Sequence, residues 1–213
     1  CGGRLTVTEE VMCACCNQSL PRTGYARNAC DNRLVRLFWG RIPIERGASL
    51  FFYKAHSDTS RLLYQLKYGG HSETGELLGR LVADEFAADG FFDGITALVP
   101  VPLARQRERE RGYNQSVEIA RGISTATGIP VVGNVLERIS FHGSQTQKSR
   151  WERNENVEKA FRLTDASAVR NRHVLLVDDV ITTGATLVAA AREILKAGNV
   201  KVSVLSLGFA NNE

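Results

Sequence analysis

The chain has 213 residues, 43% hydrophobic and 23% charged, a balance that fits an ordinary globular protein and excludes both a disordered chain and a membrane-embedded one. That length accommodates one α/β domain with a small appendage and excludes two full-sized enzyme domains. A net charge of +4 suits either a plain arginine-rich surface or a phosphate-bearing partner, and does not choose between a phosphorylated small molecule and a nucleic-acid backbone.

The sequence opens on Cys1, and the expectation is that the natural start lies upstream. No secretory signal is visible, and "ITALVPVPL" is too short and too proline-broken to span a bilayer, so neither export nor an integral membrane protein is expected. In "CGGRLTVTEEVMCACCNQSLP" a short hairpin is expected between two cysteine-bearing turns, with "RLTV" and "EEVM" as arms. Such an element is too small to bury a core, so a metal would help to hold it. Cys13-x2-Cys16 has the spacing of a zinc knuckle, and Cys1 before two glycines looks like half of another. A structural zinc takes four ligands; Cys1, Cys13 and Cys16 supply three, with Cys15 and Cys30 as in-chain alternatives for the fourth. In a chain expected to be cytoplasmic, this spacing favours metal over disulfides. "IPIERGA", residues 42–48, marks a boundary that divides the chain into 1–45 and 46–213.

Beyond it, "ASLFFYKA" reads as a strand and "SDTSRLLYQLKYGG" as a helix stopped by glycine. "SETGELLGRLVADEFAADG" is a second helix, "TALVPVP" a strand and "YNQSVEIARGISTATG" a helix. "HVLLVDDV", "ATLVAAAREILKAG" and "KVSVLSLGFA" follow as strand, helix and strand. Alternation of this kind predicts right-handed βαβ units, hence an α/β fold with a mainly parallel sheet flanked by helices. Ligands of such sheets lie at the carboxyl ends of the strands, where the polar clusters after Val101 and Val177 fall. Residues 138–160 are long, polar and poorly periodic, and read as a lid rather than a tether.

The chemistry concentrates in "VLLVDDVITTGATL", residues 174–187. Asp178 and Asp179 repel each other at the end of a buried strand, so cations or hydrogen-bond donors are expected there. The bland alternative is a carboxylate pair that caps the next helix. Thr182, Thr183, Gly184, Ala185 and Thr186 offer amides and hydroxyls at a helix N-terminus, which makes a phosphate cradle. A phosphate beside two carboxylates that can accept from vicinal hydroxyls describes a ribose 5-phosphate. The loop "ARQRERERGYNQ" follows a strand with Arg105, Arg107, Arg109 and Arg111, and arginine forks match phosphate oxygens. Arg105 and Arg111 are the stronger candidates, because Arg107 and Arg109 alternate with glutamates as a solvated helix face does.

These residues carry a resemblance. "VLLVDDVITTGATL" resembles the phosphoribosyl pyrophosphate (PRPP) signature of type I phosphoribosyltransferases. Together with "PVPL…R…RGYNQ", "R…Q…R…N…AF", "LKYGG" and the cysteine knuckle, the chain resembles the ComF family over nearly its whole length. The resemblance implies a type I phosphoribosyltransferase-like domain with an N-terminal zinc element acting as a hood, in a protein associated with competence and the handling of incoming DNA. It implies that Arg111, Tyr113, Asn114 and Gln115 lie beside the pyrophosphate, that Lys67 contributes to the same site, and that Gln147, Arg153 and Asn156 belong to a mobile loop. It also implies a fourth zinc cysteine three residues upstream of Cys1. Glutamine-dependent amidophosphoribosyltransferases also begin Cys-Gly, but there a whole glutaminase domain follows, for which the 45 residues upstream of the boundary leave no room.

The expected chemistry is transfer at the anomeric carbon of PRPP, with Mg²⁺ on its pyrophosphate and ribose oxygens. Asp178 and Asp179 would hold the ribose against an oxocarbenium-like state, and Arg111 would neutralise the departing pyrophosphate. Two readings from other classes stand beside it: a PRPP sensor without catalysis, and a single-stranded-DNA-binding protein in which Phe38, Trp39 or Trp151 stacks on bases, with a helicase-type partner.

Overall fold

In the computed structural model, residues 3, 5–7, 9, 11–68, 72–139 and 160–210 are described. Two short helices, α1 (Ala14–Ser19) and α2 (Arg33–Arg36), precede the first strand, β1 (Gly47–Tyr53). Then come α3 (Asp58–Tyr68), α4 (Ser72–Ala87), β2 (Ala97–Pro100), α5 (Arg105–Arg111) and α6 (Gln115–Thr127). The chain continues with β3 (Leu136–Arg138), β4 (Phe161–Leu163), β5 (His173–Ile181), α7 (Ala185–Leu195) and β6 (Lys201–Ala210). Strands β1, β6, β5 and β2 form, in that order, a four-stranded sheet whose pairings are parallel throughout, as the alternation predicts. β3 and β4 pair antiparallel as a separate ribbon.

The apolar runs of the central strands follow from burial on both faces. Along β5, Val174 and Leu176 pack with Leu187, Val188 and Ala191 of α7, while Leu175 and Val177 turn toward Leu63, Leu78 and Ile119 of α3, α4 and α6. Leu34 and Phe38, from in and just after α2, share the α7 side. Between α4 and α6 the helices meet backbone to backbone: a Cβ on Gly79 would collide with the Ile119 carbonyl, and one on Gly122 with the Glu76 carbonyl. This close approach fixes α6, whose N-terminus carries part of the site.

Both borders of the sheet are occupied. Beside β1, Arg22 bridges Phe51, the Thr23 amide donates to the Leu50 carbonyl (3.1 Å) and the Phe52 amide to the Pro21 carbonyl (2.8 Å). Beside β2, Leu98 donates to the Pro130 carbonyl (2.9 Å) and accepts from the Val132 amide (2.8 Å).

Two expectations fail. The arms "RLTV" and "EEVM" form no strand among their described residues; instead the Glu9 carboxylate accepts from the Thr6 amide (2.8 Å) and the Ala14 amide (2.7 Å), making a local turn in place of a ladder. The arginine-rich segment after β2 is the helix α5 rather than a loop. Its Arg, Gln and Glu residues favour helix, and Gly112 ends it at φ 80° with its amide on the Glu108 carbonyl. No helix among the described residues is long and apolar enough to cross a membrane.

Candidate functional site

β5 carries the acid pair to the carboxyl end of the sheet. Adjacent strand residues face opposite ways, so the two carboxylates diverge. Asp179 Oδ2 holds Lys67 Nζ of α3 at 2.9 Å. Asp178 Oδ1 accepts from the Asp179 amide (2.9 Å) and, less closely, from the Ser116 hydroxyl of α6 (3.3 Å). Burial, and next the negative charge of Asp179, push the Asp178 carboxyl up to about 7, against the opposing pull of the Asp179 amide, Lys67 and Ser116.

Next in the chain is the turn into α7. Gly184 sits at φ 71° and caps the helix without any side-chain hydrogen bond. A Cβ there would lie 3.2 Å from the Phe38 ring, so both conformation and space call for glycine. Thr182 and Thr183 are exposed, and Ala185 and Thr186 are partly so. The Ala185 amide has only a long 3.5 Å contact to Thr183 Oγ1. The first amides of α7, like those of any helix start, have no acceptor within the helix, which suits an anion seat. From behind, Arg41 props the turn by donating to the Thr183 carbonyl at 2.8 Å.

The "RGYNQ" motif contributes scaffold and charge in different proportions. Asn114 caps α6, accepting from the Ser116 amide (3.0 Å) and donating to the Val101 carbonyl (3.0 Å). Tyr113 donates to the Leu66 carbonyl at 2.5 Å, which ties α6 to α3, and burial raises its phenol above the ordinary range. Arg111 donates to Gln115 Oε1 (2.8 Å) and lies 5.3 Å over the Tyr68 ring. The Gln115 amide nitrogen is buried and has no partner among the described residues, an unmet donor next to Arg111. Arg105 is turned away to Glu137 on an exposed flank (2.9 Å). Arg107 and Arg109 are exposed.

Thus Asp178, Asp179, Lys67 and the start of α6 come together. Gln147, Arg153, Asn156 and Cys1 lie outside the described residues. Sequence reasoning missed Ser116, Tyr68 and Arg41. Ser116 directly follows "YNQ" and could have been found there; the others have partners distant in sequence.

The cysteines stand apart from the acids. Cys13 caps α1, its sulfur accepting from the Cys16 amide at 3.4 Å, and that contact with the Cys16 amide holds its thiol below the usual range. A cysteine whose thiol is shifted downward, with a second cysteine three positions on at Cys16, fits a zinc ligand pair. No cluster of three or more His, Cys, Asp or Glu is formed among the described residues. For magnesium, two carboxylates with oxygens at a strand end fit an ion carried largely by a ligand's own oxygens. A cleft of about 1010 Å³ opens beside the end of β1, bounded by Cys13, Cys16, Met12, Tyr53, Lys54 and Leu62 among others. It does not include the acid pair, although α3 connects the two.

Residues 75–210 match the model of the phosphoribosyl transferase domain. The chain is 30% identical over 207 residues to the DNA utilization protein YhgH of Escherichia coli (strain K12), covering 96% of this chain and 86% of that one. It is 36% identical over 115 residues to Competence protein F of Haemophilus influenzae, covering 54% of this chain and only half of that protein's length. Among solved structures, adenine phosphoribosyltransferase from Leishmania donovani superposes with a TM-score of 0.43 at 13% identity, over 75% of this chain and 83% of that one.

Proposed function

We propose, because the chain belongs to the phosphoribosyl transferase domain family and within it to the ComF type, that it binds PRPP and transfers ribose 5-phosphate to an acceptor in the course of DNA uptake or utilisation. The observation that carries this reading is the diverging acid pair beside a helix N-terminus left open behind Gly184. The 5-phosphate would sit on the amides and hydroxyls of Thr182–Thr186, and Asp178 and Asp179 would accept from the ribose hydroxyls. Mg²⁺, when bound, would supply charge neutralisation on the pyrophosphate. Lys67 would pass from Asp179 to the incoming ligand, and Arg111 with the buried Gln115 amide would face the pyrophosphate. The C–O bond to pyrophosphate breaks as an acceptor lone pair attacks the anomeric carbon, and the acceptor then loses its proton. The cleft beside β1 would seat the acceptor. In the intact protein Cys1, Cys13 and Cys16, with one further ligand, would hold a structural zinc, and the protein would work in the cytoplasm.

The test is thermal stabilisation. PRPP with Mg²⁺ should raise the melting temperature, and the double variant Asp178→Asn, Asp179→Asn should abolish the shift. An equal shift in the variant would remove the acids from the site. Pyrophosphate release with a panel of bases and amines then separates an enzyme from a sensor.

A second reading is favoured by one observation. Trp39 is 61% exposed, with Arg36 5.6 Å over its ring, and the neighbouring Arg41 contacts the Thr183 turn. An exposed aromatic among arginines suits a stacked base and its phosphates, and single-stranded DNA, delivered by a helicase-type partner, would lie there. Phe38, by contrast, is wholly buried and is core. Quenching of Trp39 fluorescence by oligo(dT) in a Trp151→Phe background would support this reading, and unchanged emission would discard it.

A further inference from the structure

Helix α3 turns two rings to solvent, where they cover no core. Thr59, Leu63 and Leu66 make its buried face, whereas Tyr64 and Tyr68 are 64% and 60% exposed. Four residues apart, the tyrosines lie one turn from each other on the same flank, with ring centroids 4.8 Å apart. The stack continues past Tyr68. The guanidinium of Arg111, the last residue of α5, lies 5.3 Å over that ring and donates to Gln115 Oε1 at 2.8 Å. Tyr113, just before α6, donates to the Leu66 carbonyl of α3, so the ring and the guanidinium belong to segments tied together beside their contact.

Two cations near this stack are held in different ways. Lys67, between the two tyrosines in sequence, has its charge met by Asp179 (2.9 Å). Arg111 makes no ion pair among the described residues; its holders are an amide oxygen and a ring face, both neutral. A carboxylate would fix a guanidinium and cancel its charge, whereas a ring face attracts the cation through its quadrupole and leaves the charge free to act elsewhere. We infer that Tyr68, backed by Tyr64, is a positioning residue for Arg111: the ring pair sets the plane of the guanidinium before any ligand arrives. Its role in transfer rests on the PRPP reading above, where a preset plane spares the ordering of a long side chain when the donor binds. The same role accounts for two large rings on a helix face that buries nothing.

Two readouts on the full chain test it. Without ligand, the Nε–H resonance of Arg111 should lie upfield under the ring current of Tyr68, keep that shift in Tyr68→Phe, lose it in Tyr68→Ala and lose part of it in Tyr64→Ala. In calorimetric titration with PRPP and Mg²⁺, Tyr68→Ala should weaken binding about two- to fivefold, the worth of an exposed cation–ring contact, and Tyr68→Phe should bind as wild type does. In an Arg111→Met background Tyr68→Ala should then cost nothing further. An Arg111 resonance unmoved by Tyr68→Ala, an equal loss of affinity in both backgrounds, or a Phe variant as weak as the Ala variant would overturn the positioning role; a resonance unmoved by Tyr64→Ala would remove Tyr64 from it. If wild type showed the ring-current shift but gave no heat with PRPP, the PRPP reading would fall while the clamp on Arg111 stood.

Discussion

At the scale of single residues, Asp178 sets the behaviour of the site. Its carboxyl is raised from 3.8 to about 7 in the folded protein, so between those values the folded state keeps a proton that the unfolded chain releases. Stability is then full below the lower value, falls as pH rises through the window, and stays reduced above it. Asp178→Asn removes the effect: the variant should melt a few degrees above wild type at pH 8 (~2–8 °C) and close to it at about pH 3.5, below the window, read by scanning fluorimetry at both pH values. Equal melting at pH 8 would contradict a strained carboxyl. The presence of the acid pair was legible because its context is local, an apolar run before it and a glycine turn after it. Its partners were not. Lys67 could be named only by resemblance, and its 2.9 Å contact with Asp179 depends on how α3 packs.

At the scale of elements, α4 and α6 show how a site is held by residues remote from it. Gly122→Ala adds a methyl where the Glu76 carbonyl already stands. Helix propensity favours alanine by about 1 kcal/mol, but the overlap should dominate, with a net loss of about 3 kcal/mol in urea denaturation. Gly133→Ala, where a Cβ meets nothing within 4 Å, should be nearly neutral and serves as the control. The long helices and the sheet strands were readable because each has an apolar face or run of its own. α5 was not: seven residues of alternating charge bury nothing, and only the Gly112 cap marks its end. β3 and β4 are three residues each and gain definition from each other rather than from pattern.

At the scale of the whole molecule, the N-terminal segment is fastened to the sheet by Arg22. Its guanidinium binds Glu85 of α4 (2.6 Å) and both the carbonyl and the side chain of Asn17 in α1. Arg22→Ala should cost about 1–3 kcal/mol of stability, measured by denaturation, without altering the affinity for magnesium pyrophosphate. A fall in that affinity would mean that the segment shapes the anion site. The expected hairpin failed here because Glu9 satisfies nearby amides by itself, a competition that composition does not reveal.

The flanking of β1 by residues 21–23 and of β2 by residues 130–132 bears on how the protein behaves in a crowded cell. Parallel sheets invite neighbours to zip onto any unguarded rim, the route to fibres and swapped dimers. With a short irregular stretch laid along each rim, this molecule should resist such templating even when concentrated, and assemblies it enters would be built through side-chain surfaces rather than by lengthening the sheet.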